Sequence, residues 1–255
     1  MITLRLEKEY KIPTGWDELT PFYKDQFIRL CSALSDFEQG RDSFEQLGCR
    51  TAFALLDMDI AKVKDITPEF EENIFRLTEI ITFPWRLVEQ DGATVCQIDI
   101  VLKTNLLPKL HNHVGYTFLL SPGGMVDCDI TAEQYIDAVQ LMQVYSRTFS
   151  RESLDKLSDV LYGQGAAVDF TQKEKIAVYY NFRGILEWVK SLPAYALIFR
   201  GYARTGGAPA SPLGLSGSVF QMARAGYGSL EDIRNLDLFS YLGLLVQMSV
   251  DSIQA

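Results

Sequence analysis

Five helix starts are written into this chain, and they constrain its fold more than any other feature. Thr131-Ala-Glu-Gln134, Thr171-Gln-Lys-Glu174 and Ser229-Leu-Glu-Asp232 each place a hydroxyl three positions before a side chain able to reach back to it. In such a capping box the two side chains reciprocally satisfy amides that the first helical turn leaves unpaired. Asp232 stands where Glu or Gln is usual. Thr20-Pro21 and Thr67-Pro68 give a second kind of start, a hydroxyl cap followed by a residue whose fixed φ suits the first helical position. Apolar residues at helical spacing then predict helices from Thr20 through Phe22, Phe27, Leu30 and Leu34, over about 41–56, near Ile60, and over about 67–81. Further helices are expected over 132–148, 151–162, 172–190, 194–200, 215–225 and 237–252.

Strand signals are confined to the first half. Residues 3–12 alternate polar and apolar, which predicts one strand with Leu4, Leu6, Tyr10 and Ile12 near one face, stopped by Pro13-Thr14-Gly15. Arg86-Leu-Val-Glu and Thr94-Val-Cys-Gln-Ile-Asp-Ile flank Asp91-Gly92, a hairpin signature. A lone two-stranded hairpin is marginal in water, so the N-terminal strand is the expected third member of one antiparallel sheet. Residues 103–130, with Pro108, Gly115, Pro122, Gly123 and Gly124, read as a long irregular connection and as a seam between lobes. The expected class is mainly α with a small antiparallel β-sheet near the N-terminus (α+β). Its organisation is read as a strand, helix and hairpin lobe over 1–110 and a helical lobe over 125–255, or one continuous domain.

Composition removes several classes of function. With 47% hydrophobic residues the chain can pack a core, and 33 acidic against 24 basic side chains give a net charge of −9. Gripping phosphates needs a basic surface, so nucleic acid and anionic lipid are not expected partners. The start Met1-Ile-Thr-Leu-Arg5 lacks the pattern of a secretory leader, and the longest apolar candidate, Leu236–Val250, is cut by Asp237, Ser240, Gln247 and Ser249. No membrane partner is expected. Cys31, Cys49, Cys96 and Cys128 form no close pair, which reads as reduced cytoplasmic thiols. The acidic excess lies before residue 166; the last third is nearly neutral and rich in glycine.

Motifs for chemistry fail on inspection. His111-Asn112-His113 is the only histidine pair, and alternate residues of an extended segment would point to opposite sides, so no metal centre is expected. Asp57-Met-Asp59 opens like a calcium loop, but Ala61 and Lys62 stand where ligand and bend glycine are needed. Asp127-Cys128-Asp129 reads as acids favouring the following helix start. Gly163-Gln-Gly165 lacks a dinucleotide loop's third glycine, and Gly214-Leu-Ser216-Gly-Ser218 misses a nucleophile elbow by one residue. Ser153-Leu-Asp-Lys156 is a spacing common on solvated helices. No catalytic residue, cofactor or metal is expected. The candidate partner-binding residues are Arg200, Tyr202, Arg204 and Arg224, around a loop with Gly206-Gly207, Pro209 and Pro212. Arg and Tyr are favoured interface anchors, and a plain helix–helix link needs only about 2–8 residues.

Three blocks carry a resemblance. They are Tyr10-Lys-Ile-Pro-Thr-Gly-Trp16-Asp-Glu-Leu-Thr20; then Asn105-Leu-Leu-Pro108 with Ile130-Thr-Ala-Glu-Gln-Tyr135 and Leu154-Asp-Lys-Leu157 to Val160-Leu-Tyr162; and Phe199-Arg-Gly-Tyr202 to Asn235-Leu-Asp-Leu238 to Tyr241-Leu242. Together they resemble proteins of the tail operons of tailed phages and prophages. The resemblance implies a non-enzymatic, chaperone-like role in tail assembly, in the host cytoplasm, with the tape measure and the major tail protein as partners. Two other readings stand beside it: a structural virion protein of the tail or neck, and a small-molecule enzyme with an unrecognised site.

Overall fold

The computed structural model describes residues 2–5, 9–58, 67–199 and 214–254. Two short strands, β1 (Ile2–Arg5) and β2 (Glu9–Ile12), lead through 3-10 turns at Trp16–Glu18 and Pro21–Tyr23 into α1 (Lys24–Glu38), α2 (Phe44–Leu55) and α3 (Pro68–Ile80). The hairpin β3 (Trp85–Gln90) and β4 (Ala93–Ile98) follows, then the small hairpins β5–β6 (Lys109–Leu110, His113–Val114) and β7–β8 (Phe118–Leu120, Val126–Cys128). The rest is helical: α4 (Ala132–Thr148), α5 (Arg151–Tyr162), α6 (Ala166–Asp169), α7 (Gln172–Ser191), α8 (Gly214–Arg224), α9 (Leu230–Arg234) and α10 (Leu238–Gln254). The protein is mainly α with small antiparallel two-stranded sheets, as its helix starts require.

The sheet differs from expectation. β1 pairs with β2, placing Ile2 opposite Ile12, while β3 pairs with β4 alone; among the described residues there are four separate two-stranded sheets. The stretch 3–12 thus holds two strands, not one, and does not join the hairpin. Pairing strands three residues apart closes a far smaller loop than pairing residues about eighty positions apart, and loop closure is entropically costly. The Asp91-Gly92 turn itself forms as expected, with φ of 52° and 78° at its two central residues. Both values are positive, as a type I′ turn demands.

α7 is the hub. Thirteen of its twenty residues are buried, from Lys175 to Val189, so it is apolar nearly all round. α1 and α5 pack on it directly, with α2 behind α1 and α4 behind α5. Gly184 lets an extended strip lie across α7: a Cβ there would come within 2.7 Å of Leu102 Cγ and 2.9 Å of Ile100 Cγ1. The Leu102 amide donates to the Gly184 carbonyl at 3.0 Å. One connected set of buried side chains runs from Ile12 to Leu242.

The expected irregular connection enters this core. Leu106, Leu107, Leu110, Tyr116 and Phe118 are buried, and a polar network fixes them to α7. Asn181 Oδ1 accepts from the Leu106 amide (3.0 Å), and Asn181 Nδ2 donates to Asn105 Oδ1 and to Tyr116 Oη, both at 2.7 Å. Asn105 accepts in turn from the Leu107 amide and donates to the Tyr116 carbonyl. The connection is not wholly irregular, since it holds the β5–β6 and β7–β8 hairpins, and its remaining backbone groups can be buried only because they find such partners.

Other expectations are adjusted locally. The helix near Ile60 lies outside the described residues. Pro193–Tyr195 form a 3-10 turn that leads into α-helical backbone at 196–199, so the helix expected from 194 opens two residues late. The helix expected over 215–225 forms as α8, one residue earlier at each end. Asp129 does not serve the α4 start; its Oδ1 accepts from the Thr117 amide at 2.6 Å and so ties the β7–β8 hairpin. No helix among the described residues is long and apolar enough to cross a membrane.

Candidate functional site

Of the residues singled out for partner binding, Arg200, Tyr202 and Arg204 lie outside the described residues. Arg224 is the last residue of α8 and is exposed. The structure shows a groove elsewhere, of about 690 Å³, formed where α4, α7 and α10 meet, with Ile198 and Phe199 at its edge. Val139, Met142, Phe149, Leu186 and Leu245 supply its apolar wall. Arg224 does not line it. A polar cleft of about 500 Å³ shares Glu38, Arg183 and Glu187 with the groove and reaches the base of the β3–β4 hairpin.

The charged floor is internally matched. Arg183 Nη1 donates to Glu38 Oε1 at 2.8 Å, the Tyr180 hydroxyl donates to Glu38 Oε2 at 2.7 Å, and the Arg183 guanidinium sits 5.7 Å from the Tyr180 ring centre. Lys190 pairs with Glu187 at 2.8 Å. Burial opposes the Arg183 charge, but the Glu38 carboxylate outweighs it and holds the guanidinium above its ordinary value. Burial, reinforced by Glu38, pushes the Tyr180 hydroxyl well above its usual range and Tyr179 up to about 12; burial likewise raises Tyr135. The floor presents polar groups without an unmatched ion, and the wall above it is apolar.

Phe149 is the unusual member. It closes α4 in the left-handed region, with φ of 51°, where glycine is the default residue. A bulky side chain in that region costs about 1–3 kcal/mol and persists only where something over-determines it. Here the ring makes an edge contact with Tyr145, lines the groove, and remains 37% exposed.

No protein-family model, curated protein or solved structure matches this chain. Its site is therefore read from its own geometry. Sequence reasoning missed the groove, although one signal for Phe149 was present: α4 and α5 are joined by Phe149-Ser150 alone, and a link that short without glycine must force another residue into a turn conformation.

The histidines are brought together, not splayed as the alternation implied. His111 occupies the β5–β6 turn with φ of 51°, so the segment is bent where an extended one was assumed. Both rings lie against Phe170, His111 stacked at 5.9 Å and His113 edge-on at 5.5 Å. His111 Nε2 lies 3.1 Å from Glu174 Oε1 and His113 Nε2 lies 2.8 Å from Asp169 Oδ2. Among the described residues, no group of three or more His, Cys, Asp or Glu is arranged to hold a metal ion.

Glu174 gives a pH dependence. Burial would raise its carboxyl, but the Thr171 amide, the Thr171 hydroxyl and His111 together hold it below its ordinary value. A folded value below the unfolded one, about 4.3, adds stability above that pH, and the contribution is lost as pH falls through the folded value. Glu174→Gln keeps the capping box but cannot titrate. Its melting temperature should therefore fall less steeply than the parent's between about pH 5 and pH 3. Parallel thermal melts with equal slopes would show that Glu174 does not contribute.

Proposed function

We propose that this protein is a non-enzymatic accessory of phage tail assembly that holds an amphipathic helix of a tail component in the α4–α7–α10 groove. The binding part of this reading is carried by Phe149, a strained aromatic kept half in water at the wall of an apolar groove. Strain of this kind clusters where a side chain is presented to a partner. The tail setting rests on the three resembling sequence blocks. In that setting the occupant is a helix of the tape measure, whose apolar face needs cover in the host cytoplasm until the major tail protein polymerises around it. The apolar wall would take that face, and the matched ion pairs of the floor would meet its polar edge without leaving a buried charge unpaired.

Phe149→Gly separates binding from folding. The change relieves about 1–2 kcal/mol of left-handed strain and gives up an aromatic contact of about 0.5–1.5 kcal/mol, so global stability should stay close to the parent's. Binding should fall about 30-fold, the loss expected for a buried aromatic anchor. The measurement is capture of co-expressed tape-measure and major tail proteins, with a titration of tape-measure helical peptides beside a urea melt. Unchanged capture by the folded variant removes the groove from the mechanism, and a parent that captures neither protein removes the tail setting.

A further inference from the structure

The β3–β4 hairpin is built independently of the groove and carries its own argument. It is the longest sheet in the described structure, six residues paired with six, in continuous register from Trp85 opposite Ile98 to Gln90 opposite Ala93. Neither strand has a second neighbour within the described chain, so each presents one open edge. Trp85 anchors the base in the core and against Phe44, whereas Leu87 is 60% exposed and Val95 37% exposed.

Open edges are hazards that proteins ordinarily blunt with charge, proline or a bulge. β3 carries Arg86 and Glu89. β4 reads Ala-Thr-Val-Cys-Gln-Ile, with no charge, proline or glycine in six residues, and its unbroken register excludes a bulge. Thr, Val and Ile are also strong strand formers. An unguarded edge of this composition is a template for another strand.

Symmetry identifies which strand. Two copies joined about a two-fold axis bring every residue near the axis against its own copy, so any charge there meets a like charge. The protein as a whole carries a net charge of −9, yet β4 is uncharged throughout. Directly opposed residues of an antiparallel pair lie on the same face, so the axis must pass through a residue position. At the middle of β4 that position is Val95 or Cys96. Within β4 each sets only uncharged side chains opposite one another, and a four-stranded sheet β3–β4–β4–β3 covers both open β4 edges.

We infer that β4 is the pairing edge of a symmetric dimer, with a second copy of this chain as its occupant. The inference does not depend on the groove or on the tail setting. Light scattering of the full chain at concentrations on the order of 100 μM, high enough to populate a weak dimer, should give twice the monomer mass. β4 amides should exchange more slowly as concentration rises. Val95→Lys sets two ammonium groups against each other beside the axis and should weaken the dimer about 100-fold or more. At concentrations too low for the parent to pair, its circular dichroism and melting curve should match the parent's, and Val95→Thr should remain dimeric. A monomeric parent overturns the inference, as does a dimer that survives Val95→Lys.

Discussion

Asn181→Ala is expected to destabilise the fold by about 3–5 kcal/mol, the largest effect of any single truncation considered. The side chain is fully buried, and each of its polar atoms has a partner on the segment crossing α7. Alanine leaves the Leu106 amide without an acceptor in a site that water does not reach. Such an orphaned donor alone costs about 1–3 kcal/mol. Tyr116 loses the donor to its hydroxyl, and the missing amide leaves a void among Asn105, Tyr116 and Leu106 that close packing cannot fill without strain. Urea unfolding is the measurement. A loss below about 1 kcal/mol would mean that apolar contacts alone hold residues 105–116 on α7.

A second large effect should depend on which partner of an ion pair is removed. Lys175 is a charged residue in the core: its side chain is 3% exposed and its ammonium pairs with Asp155, itself 35% exposed, across the α5–α7 contact. Asp155→Ala strands the ammonium and should cost about 3 kcal/mol. Lys175→Met keeps the stem's packing, removes the charge to be desolvated, and should be neutral or stabilising. The partly exposed Asp155 then simply returns to water. Equal losses for the two variants in chemical denaturation would contradict this account and show that the pair contributes net stability.

The helices were legible because their signals are local. Thr131, Thr171 and Ser229 close full capping boxes in the structure, and Thr67 accepts from the Phe70 amide. Thr20 behaves differently: it makes no side-chain cap, and Pro21 opens a 3-10 turn before α1 begins at Lys24. A further box, Ser43 with Gln46, was written in the same code and starts α2 three residues later than expected. Strand pairing was less legible, because alternation marks a strand without naming its neighbour. The groove was not legible beyond the short glycine-free link at Phe149-Ser150. It joins Glu38, Phe149, Arg183 and Leu245, which only the tertiary fold makes adjacent, and its distinctive member is marked by a backbone angle, which composition does not record.

The central position of α7 also sets an order of events during synthesis. The helices that rest on it, α1 and α5, are encoded before it, as are the residue 100–102 strip and the Asn105 segment. They leave the ribosome with their contact faces uncovered and wait for residues 172–191 to emerge. Until then the nascent chain can form local hairpins and helices but no closed core. A break in translation before α7 therefore releases, and a pause prolongs, a chain whose exposed apolar surface makes it a target for chaperones, proteases and aggregation.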